Sequence, residues 1–255
     1  MHAEGHSSAT PVDATASPTR VVVNPTLTGG LRSHLVEMWA RVTNEGGSVG
    51  FVPPVTAADV WPTADRSFAR VVAGSDALVC LVASGTDGGA ASTLTAEDPG
   101  KNAGNEKNAD PAGSLQGREN GQPGGRGTVP GYLPATAGSG LATGEQVVAW
   151  LLLAESESHL RRHWRTVYRV QVDPARQGAG LGRSLMAAAA RYAQDSLGLE
   201  ALTLMTRSGT GAERFYKRCG YREVGRIPGA IRVGPGDDRD EVHFWLDLNP
   251  PLVPL

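Results

Sequence analysis

The sequence predicts an α/β protein: one mixed, mostly antiparallel sheet with helices on its faces. Three observations carry this expectation. An alternating apolar stretch ending at Asp173 and Pro174 runs into a glycine-rich turn and an alanine-rich helix, a strand-to-helix passage. Before it lie two amphipathic segments and two nearly all-apolar runs, and after it strand and helix patterns alternate. Residues 1–19 and 85–144 lack any such period, and setting them aside leaves about 176 of 255 residues, a size that suits one domain.

In chain order, residues 1–19 are rich in Ala, Ser, Thr, Pro and His and read as a flexible tail. Residues 20–84 form the first half of the domain. They begin with a strand over 20–24, followed by a helix over 31–43 in which Leu31, Leu35, Met38, Trp39 and Val42 share one face and which Gly46 and Gly47 end. A second helix fits 56–73, with Pro62 inside it as a candidate break. Residues 77–83 read as a buried strand.

Between 85 and 144, glycine, asparagine, acids and proline dominate. The segment predicts a disordered insert, because ordering sixty such residues would cost on the order of 60 kcal/mol of backbone entropy with little apolar surface to offset it. A lid or partner-binding arm is the alternative reading of this segment. The second half of the domain, 145–255, opens with a strand over 146–154, expected to pair with the strand around Cys80. Further strands fit 166–173, 201–206, 222–226 and 241–248, with helices over 179–196 and 212–219.

Composition excludes several classes. A net charge of −2 points to neither nucleic acid nor a lipid surface. No apolar run reaches the roughly 20 residues of a membrane span, and the first residues lack a signal-peptide pattern, so a cytoplasmic protein is expected. The two cysteines, Cys80 and Cys219, suggest reduced thiols, and six scattered histidines without zinc-ligand spacing suggest no metal.

The chemistry-bearing stretch is residues 170–186. Val170 and Val172 lie on the strand. Gln177, Gly178, Ala179, Gly180, Leu181, Gly182, Arg183 and Ser184 then enter a helix whose first amides have no intrahelical acceptor. Those donors and the positive end of the helix dipole suit a pyrophosphate, and the glycines let it approach the main chain. A nucleoside-triphosphate loop would end in Gly-Lys-Ser/Thr, whereas Arg183 follows Gly182, and a dinucleotide fold would place its first glycine nearer the strand.

Gln177, Gly180 and Gly182 resemble the Gln/Arg-x-x-Gly-x-Gly/Ala loop of the GNAT superfamily of N-acetyltransferases. Residues 212–221, Ala-Glu-Arg-Phe-Tyr-Lys-Arg-Cys-Gly-Tyr, resemble its Ala-x-x-Phe-Tyr-x-x-x-Gly-Phe/Tyr helix and turn. The segments 45–51 and 225–229 are similar to those of small-molecule acetyltransferases of the tabtoxin-resistance type. The resemblance covers residues 20–84 and 145–248.

It implies a splayed central strand pair and acetyl-CoA as cosubstrate. The loop 177–184 would hold the pyrophosphate, and Val170 and Val172 would pair with the pantetheine arm. Tyr216 would stand near the CoA sulfur as proton donor, because a phenol with an ordinary pKa near 10 keeps its proton at neutral pH. The position where tabtoxin-resistance relatives carry an aspartate is Met205, so the base stays open among Glu155, Glu157, His159 and His163, with Glu155 the leading candidate. Glu45 and Phe51, with Trp39 and Trp61, are placed in the acceptor region, where an acid can hold an ammonium and aromatics can stack on it.

The function this implies is acetyl transfer to a primary amine of a small molecule, such as a toxin, antibiotic or metabolite, by direct attack in a ternary complex. It would proceed without metal, nucleic acid or membrane, in a monomer or homodimer. Acetylation of a protein or peptide, and a non-catalytic acyl-CoA-binding module, are the alternatives. An acyl-cysteine route is disfavoured, because Cys219 has no neighbouring His in sequence to take its proton, although Lys217 and Arg218 precede it.

Overall fold

A computed structural model describes residues 19–84 and 140–249 of the chain. The tail and most of the 85–144 segment lie outside the described residues, so the insert expectation is not addressed there. Its last five residues are described, and Leu141 among them packs on the core.

The elements run β1 (Thr19–Val23), α1 (Gly29–Asn44), α2 (Ala57–Val72), β2 (Ala77–Ser84), β3 (Glu145–Ala154), β4 (Trp164–Val172), α3 (Leu181–Arg191), β5 (Ala201–Arg207), α4 (Ala212–Arg218), β6 (Arg222–Gly234) and β7 (Asp237–Asp247). They build one seven-stranded sheet in the order β1-β2-β3-β4-β5-β7-β6. All neighbours are antiparallel except β4 and β5. The mixed sheet flanked by helices is the predicted class, and Cys80 faces Trp150 across the expected β2–β3 pair.

Local chemistry accounts for the helices. Thr28 caps α1 through a bond from the Leu31 amide to its hydroxyl, and Thr56 and Asp59 cap α2 reciprocally. Pro62 does not break α2. It sits on the exposed face, while the capping box and the buried Val60, Ala64, Phe68 and Val71 hold the helix together. Helix α3 starts at Leu181, two residues later than its sequence pattern suggests, because Gly180 takes a left-handed conformation at the N-cap. A π-helical turn, Tyr192–Ser196, completes it.

The two faces of the sheet carry separate cores. Val79, Leu81, Leu151, Leu153 and Leu202 face α3, whereas Leu78, Cys80, Val82, Trp150 and Leu152 face Leu35, Trp39 and Phe68 of α1 and α2. Phe68 is wholly buried, and burial of one such ring contributes on the order of 2–3 kcal/mol.

Two irregularities in the centre shape the site. Strands β4 and β5 pair only from Trp164 to Thr166 against Ala201 to Thr203, after which β4 continues to Val172 without a partner on that edge. This is the splayed pair. On the other edge, Trp150 faces Gln171 but Leu152 faces Tyr168, so β4 carries one extra residue, a bulge at which Arg169 adopts φ 57°. Strand β6 runs to Gly234, well past the 222–226 expected for it. Cross-strand ion pairs between Arg226 and Asp240 and between Arg232 and Asp238 fasten the extension to β7. A scan for apolar alternation does not find a hairpin held by charges.

Candidate active site

The splay opens a cavity of about 550 Å³ whose floor is Val170 and Val172 and whose rim is the turn from Gln177 to Arg183. Pro174 ends the strand chemistry, and Asp173 accepts the Ala175 amide at 3.1 Å to shape the turn. Gln177 reaches back to the Val172 carbonyl at 3.4 Å. Gly178 and Gly180 hold φ of 84° and 78°, and nothing stands within 4 Å of where a Cβ would be. The first helical bond is from Ser184 to the Gly180 carbonyl, and none of the amides from Gly178 to Arg183 donates to another described group. A row of unspent N–H groups therefore meets open space beside a helix N-terminus, the arrangement an anion requires.

Gly182 has a different reason to be glycine: a Cβ there would lie 3.2 Å from the Phe215 ring, so α3 and α4 approach closely at this point. Arg176, Arg183 and Arg218 line the same cavity, and none of them pairs with a described carboxylate. The free edge of β4 beyond Thr166 leaves backbone groups able to meet an extended ligand arm. Donors, charge and cradle together fit a pyrophosphate-bearing thioester such as acetyl-CoA.

A second, smaller cavity of about 200 Å³ adjoins the first, sharing Ser48, Val49, Val170 and Tyr216 with it. Its further walls come from Tyr168 and Arg169 on β4, Met205, Thr206 and Arg207 on β5, Ile231 on β6 and Glu241 on β7. The loop after α1 closes it. Trp39 Nε1 donates to the Val49 carbonyl at 3.0 Å, and Arg169 Nη1 donates to the same carbonyl at 2.8 Å while its guanidinium lies 4.7 Å from the Trp39 ring centre. Gly50 lets the arginine in, since a Cβ there would collide with Nη1.

Tyr216 stands where the two cavities meet. Phe215, Tyr221 and Phe244 surround its ring at 5.2, 6.2 and 5.9 Å. Burial pushes its hydroxyl pKa well above that of a free phenol. Cys219, one turn on, is also raised, first by burial, with Arg183 and Arg218 opposing.

Of the residues singled out in sequence, Val170, Val172, Gln177, Gly178, Gly180, Leu181, Gly182, Arg183 and Tyr216 line the larger cavity. Ala179 and Ser184 belong to the same turn but not to its lining. The structure does not bring the others there. Glu155 lies just past the end of β3, 3.6 Å from Arg165, with its amide on Asp76 and its carbonyl on Arg70, and it lines neither cavity. Glu157, His159 and His163 are on the adjoining exposed turn. Glu45 is the exposed C-cap of α1, and its neighbours Gly46 and Gly47 line the cavity instead. Phe51 packs edge-on against Trp39 at 5.6 Å as part of the core, and Trp61 packs on that core too. Sequence reasoning missed Arg169, Arg207 and Glu241. Only the alternation of β7, which sets Glu241 on the face opposite Val242, carried any trace of them.

Comparison with known proteins agrees with this geometry. Residues 140–223 match the family model described as acetyltransferase (GNAT) domain. No curated protein matches the sequence. Among solved structures, a candidate acetyltransferase from Acinetobacter baylyi ADP1 superposes with a TM-score of 0.57 at 12% identity, covering 94% of this chain and 99% of that one. The protein yncA of Salmonella typhimurium, solved with acetyl-CoA, gives 0.52 at 14% identity over 94% and 99%. The spermidine N-acetyltransferase of Vibrio cholerae, solved with CoA and spermine, gives 0.51 at 12% over 90% and 96%. At such identities the likeness is one of fold.

Fold, glycine turn and family match point the same way: residues 140–223 match a GNAT acetyltransferase domain, and the described residues carry a mixed seven-stranded sheet of that domain's kind. Among the described residues no helix is long and apolar enough to cross a membrane, and no cluster of His, Cys, Asp and Glu has the makings of a metal site.

Proposed function

We propose that this enzyme acetylates a primary amine of a small cytoplasmic molecule, a toxin, antibiotic or metabolite, with acetyl-CoA as donor and direct attack in a ternary complex. The observation that carries the reading is the junction at Tyr216: a large cavity walled by glycine amides and arginines opens there into a small one containing a carboxylate. The likeness of residues 45–51 and 225–229 to small-molecule acetyltransferases of the tabtoxin-resistance type agrees with it. So does the size of the second cavity, about 200 Å³ beneath the Val49–Gly50 loop, which suits a small acceptor better than a peptide.

Amides from Gly178 to Arg183 would hold the pyrophosphate, with Arg176, Arg183 and Arg218 countering the remaining phosphate charge. Val170 and Val172 would present the free edge of β4 to the pantetheine arm. When bound, acetyl-CoA supplies an activated acyl carbon and a thiolate leaving group. Tyr216 keeps its proton on Oη through neutral and alkaline pH, because burial disfavours the phenolate, and so has it ready to donate at the junction. Arg169, tied to Val49 and Trp39, keeps the acceptor wall closed against water.

Free-thiol release from acetyl-CoA across a panel of polyamines, aminoglycosides, amino acids and peptides tests the reading. Turnover with a small amine is expected, and Tyr216→Phe should lower kcat about 100-fold or more while CoA affinity is unchanged. Silence across the panel with CoA bound, or peptides exceeding every free amine in kcat/KM, would overturn it.

A further inference from the structure

The smaller cavity contains one carboxylate among its described lining residues, Glu241. Its neighbours on β7 are committed to arginines: Asp237 to Arg239, Asp238 to Arg232 at 2.7 Å and Asp240 to Arg226 at 3.1 Å. Glu241 takes no guanidinium among the described residues, although Arg207 is its partner directly across from β5 and Arg169 lines the same space. Arg169 is occupied with Val49 and Trp39. Among the described residues, the ionisable group in direct contact with Glu241 is His243, whose Nε2 lies 2.8 Å from Oε1. That Nε2 is buried and off the axis of a directed hydrogen bond, so the imidazole is held beside the carboxylate without another use. Glu241 retains about 30% side-chain exposure, enough to be reached from the cavity.

We infer that Glu241 receives the acceptor's ammonium and, with His243, forms the proton outlet of the site. This rests on the amine-acetyltransferase reading above. A protonated alkylamine cannot attack, since its lone pair is bound to hydrogen. One N–H proton passes to Glu241 Oε, which frees the nitrogen lone pair and leaves a neutral carboxyl group. That proton then moves to the lone pair on His243 Nε2, restoring the carboxylate; the imidazolium so formed releases its Nδ1 proton to water, and exchange of the ring's protons with water between turnovers returns the lone pair to Nε2. An imidazole is the side chain suited to take a proton near neutral pH, which a carboxylate alone is not. With Arg169 and Arg207 in the same wall, Glu241 is also what makes the cavity tolerable to a cation. The charged and titratable groups facing it are Arg207 from β5, Tyr168 and Arg169 from β4, Tyr216 from α4 and His243 on its own strand; β6 contributes Ile231 to this wall.

The test uses the full chain and the best alkylamine of the panel, with Glu241→Gln, Glu241→Asp and His243→Gln compared from pH 7 to pH 9.5. Glu241→Gln is expected to lower kcat/KM about 100-fold at pH 7, with CoA affinity and thermal midpoint as in the wild type. The deficit should shrink at least tenfold at pH 9.5, where more of the amine arrives neutral. Glu241→Asp should recover part of the loss, and His243→Gln should lower kcat about tenfold with KM unchanged. A Glu241→Gln enzyme within threefold of wild type, or a deficit that does not change with pH, would reduce Glu241 to a piece of wall. Wild-type silence toward every amine would instead overturn the amine reading, and this assignment with it.

Discussion

Gly180→Ala separates two roles that one glycine plays. At φ 78°, an L residue pays roughly 1–2 kcal/mol for the left-handed conformation, and the new methyl projects into open space beside the amides at the start of α3. The first cost lowers stability, which for a domain of this size corresponds to roughly 2–8 °C in Tm. The second falls on the cofactor. If the methyl displaces one charge-assisted N–H bond to phosphate, about 1.5–3 kcal/mol is lost, or roughly 10–150-fold in CoA affinity. Gly74 is the control, with φ 77° and equally open space, in the turn between α2 and β2 and outside both cavities. Gly74→Ala should match the Tm loss and leave affinity untouched. Thermal melts and calorimetric titration with CoA measure both quantities. If Gly180→Ala melts early yet binds CoA as tightly as wild type, the amides of this turn do not hold the phosphates and the reasoning fails.

Two further outcomes are expected. Cys219→Ala should retain turnover within about threefold, since burial keeps the thiol protonated and a ternary-complex route does not use it; loss of activity in a folded variant, read by thiol release, would argue for an acyl-cysteine. The Arg20–Glu145 pair, with bonds of 2.6 and 2.5 Å, holds the Glu145 carboxyl below the usual carboxylate range. Its contribution, at most about 1 kcal/mol for a pair this accessible, is therefore present above the unfolded carboxylate pKa near 4.3 and is lost as pH falls through the lowered folded value. Glu145→Gln should cost that much at pH 7 and nothing near pH 2, as denaturant titrations at the two pH values will tell.

What could be read from the sequence divides along the chemistry. The glycine turn was legible because its requirements are local: a strand end, glycines where φ must be positive and a helix start lie within fifteen residues. The pairing of the strand around Cys80 with that over 146–154 was legible because both are nearly all apolar. The wall of the smaller cavity was not, since it is assembled from residues 48, 169, 207 and 241, which meet only through the bulge in β4 and the splay beside it. A left-handed arginine at position 169 has no signature in composition. Glu155 was drawn in by its place at a strand end, and the register then set it at the end of the sheet away from the splay, beside Asp76 and Arg165. The hairpin of β6 and β7 escaped because its cohesion is ionic, and apolar periodicity is silent about charge.

The sheet divides the protein's interior into two compartments, and each backs a different cavity wall. Side chains facing α3 back the cofactor turn, while those facing α1 and α2 back Trp39 and, through it, the Val49 loop. Repacking one compartment leaves the other's contacts in place, so substitutions on opposite faces should add independently in stability. The smaller cavity can therefore be reshaped by substitution while the larger one keeps its shape. The hinge of that freedom is Arg169, a β4 side chain that crosses to the acceptor loop.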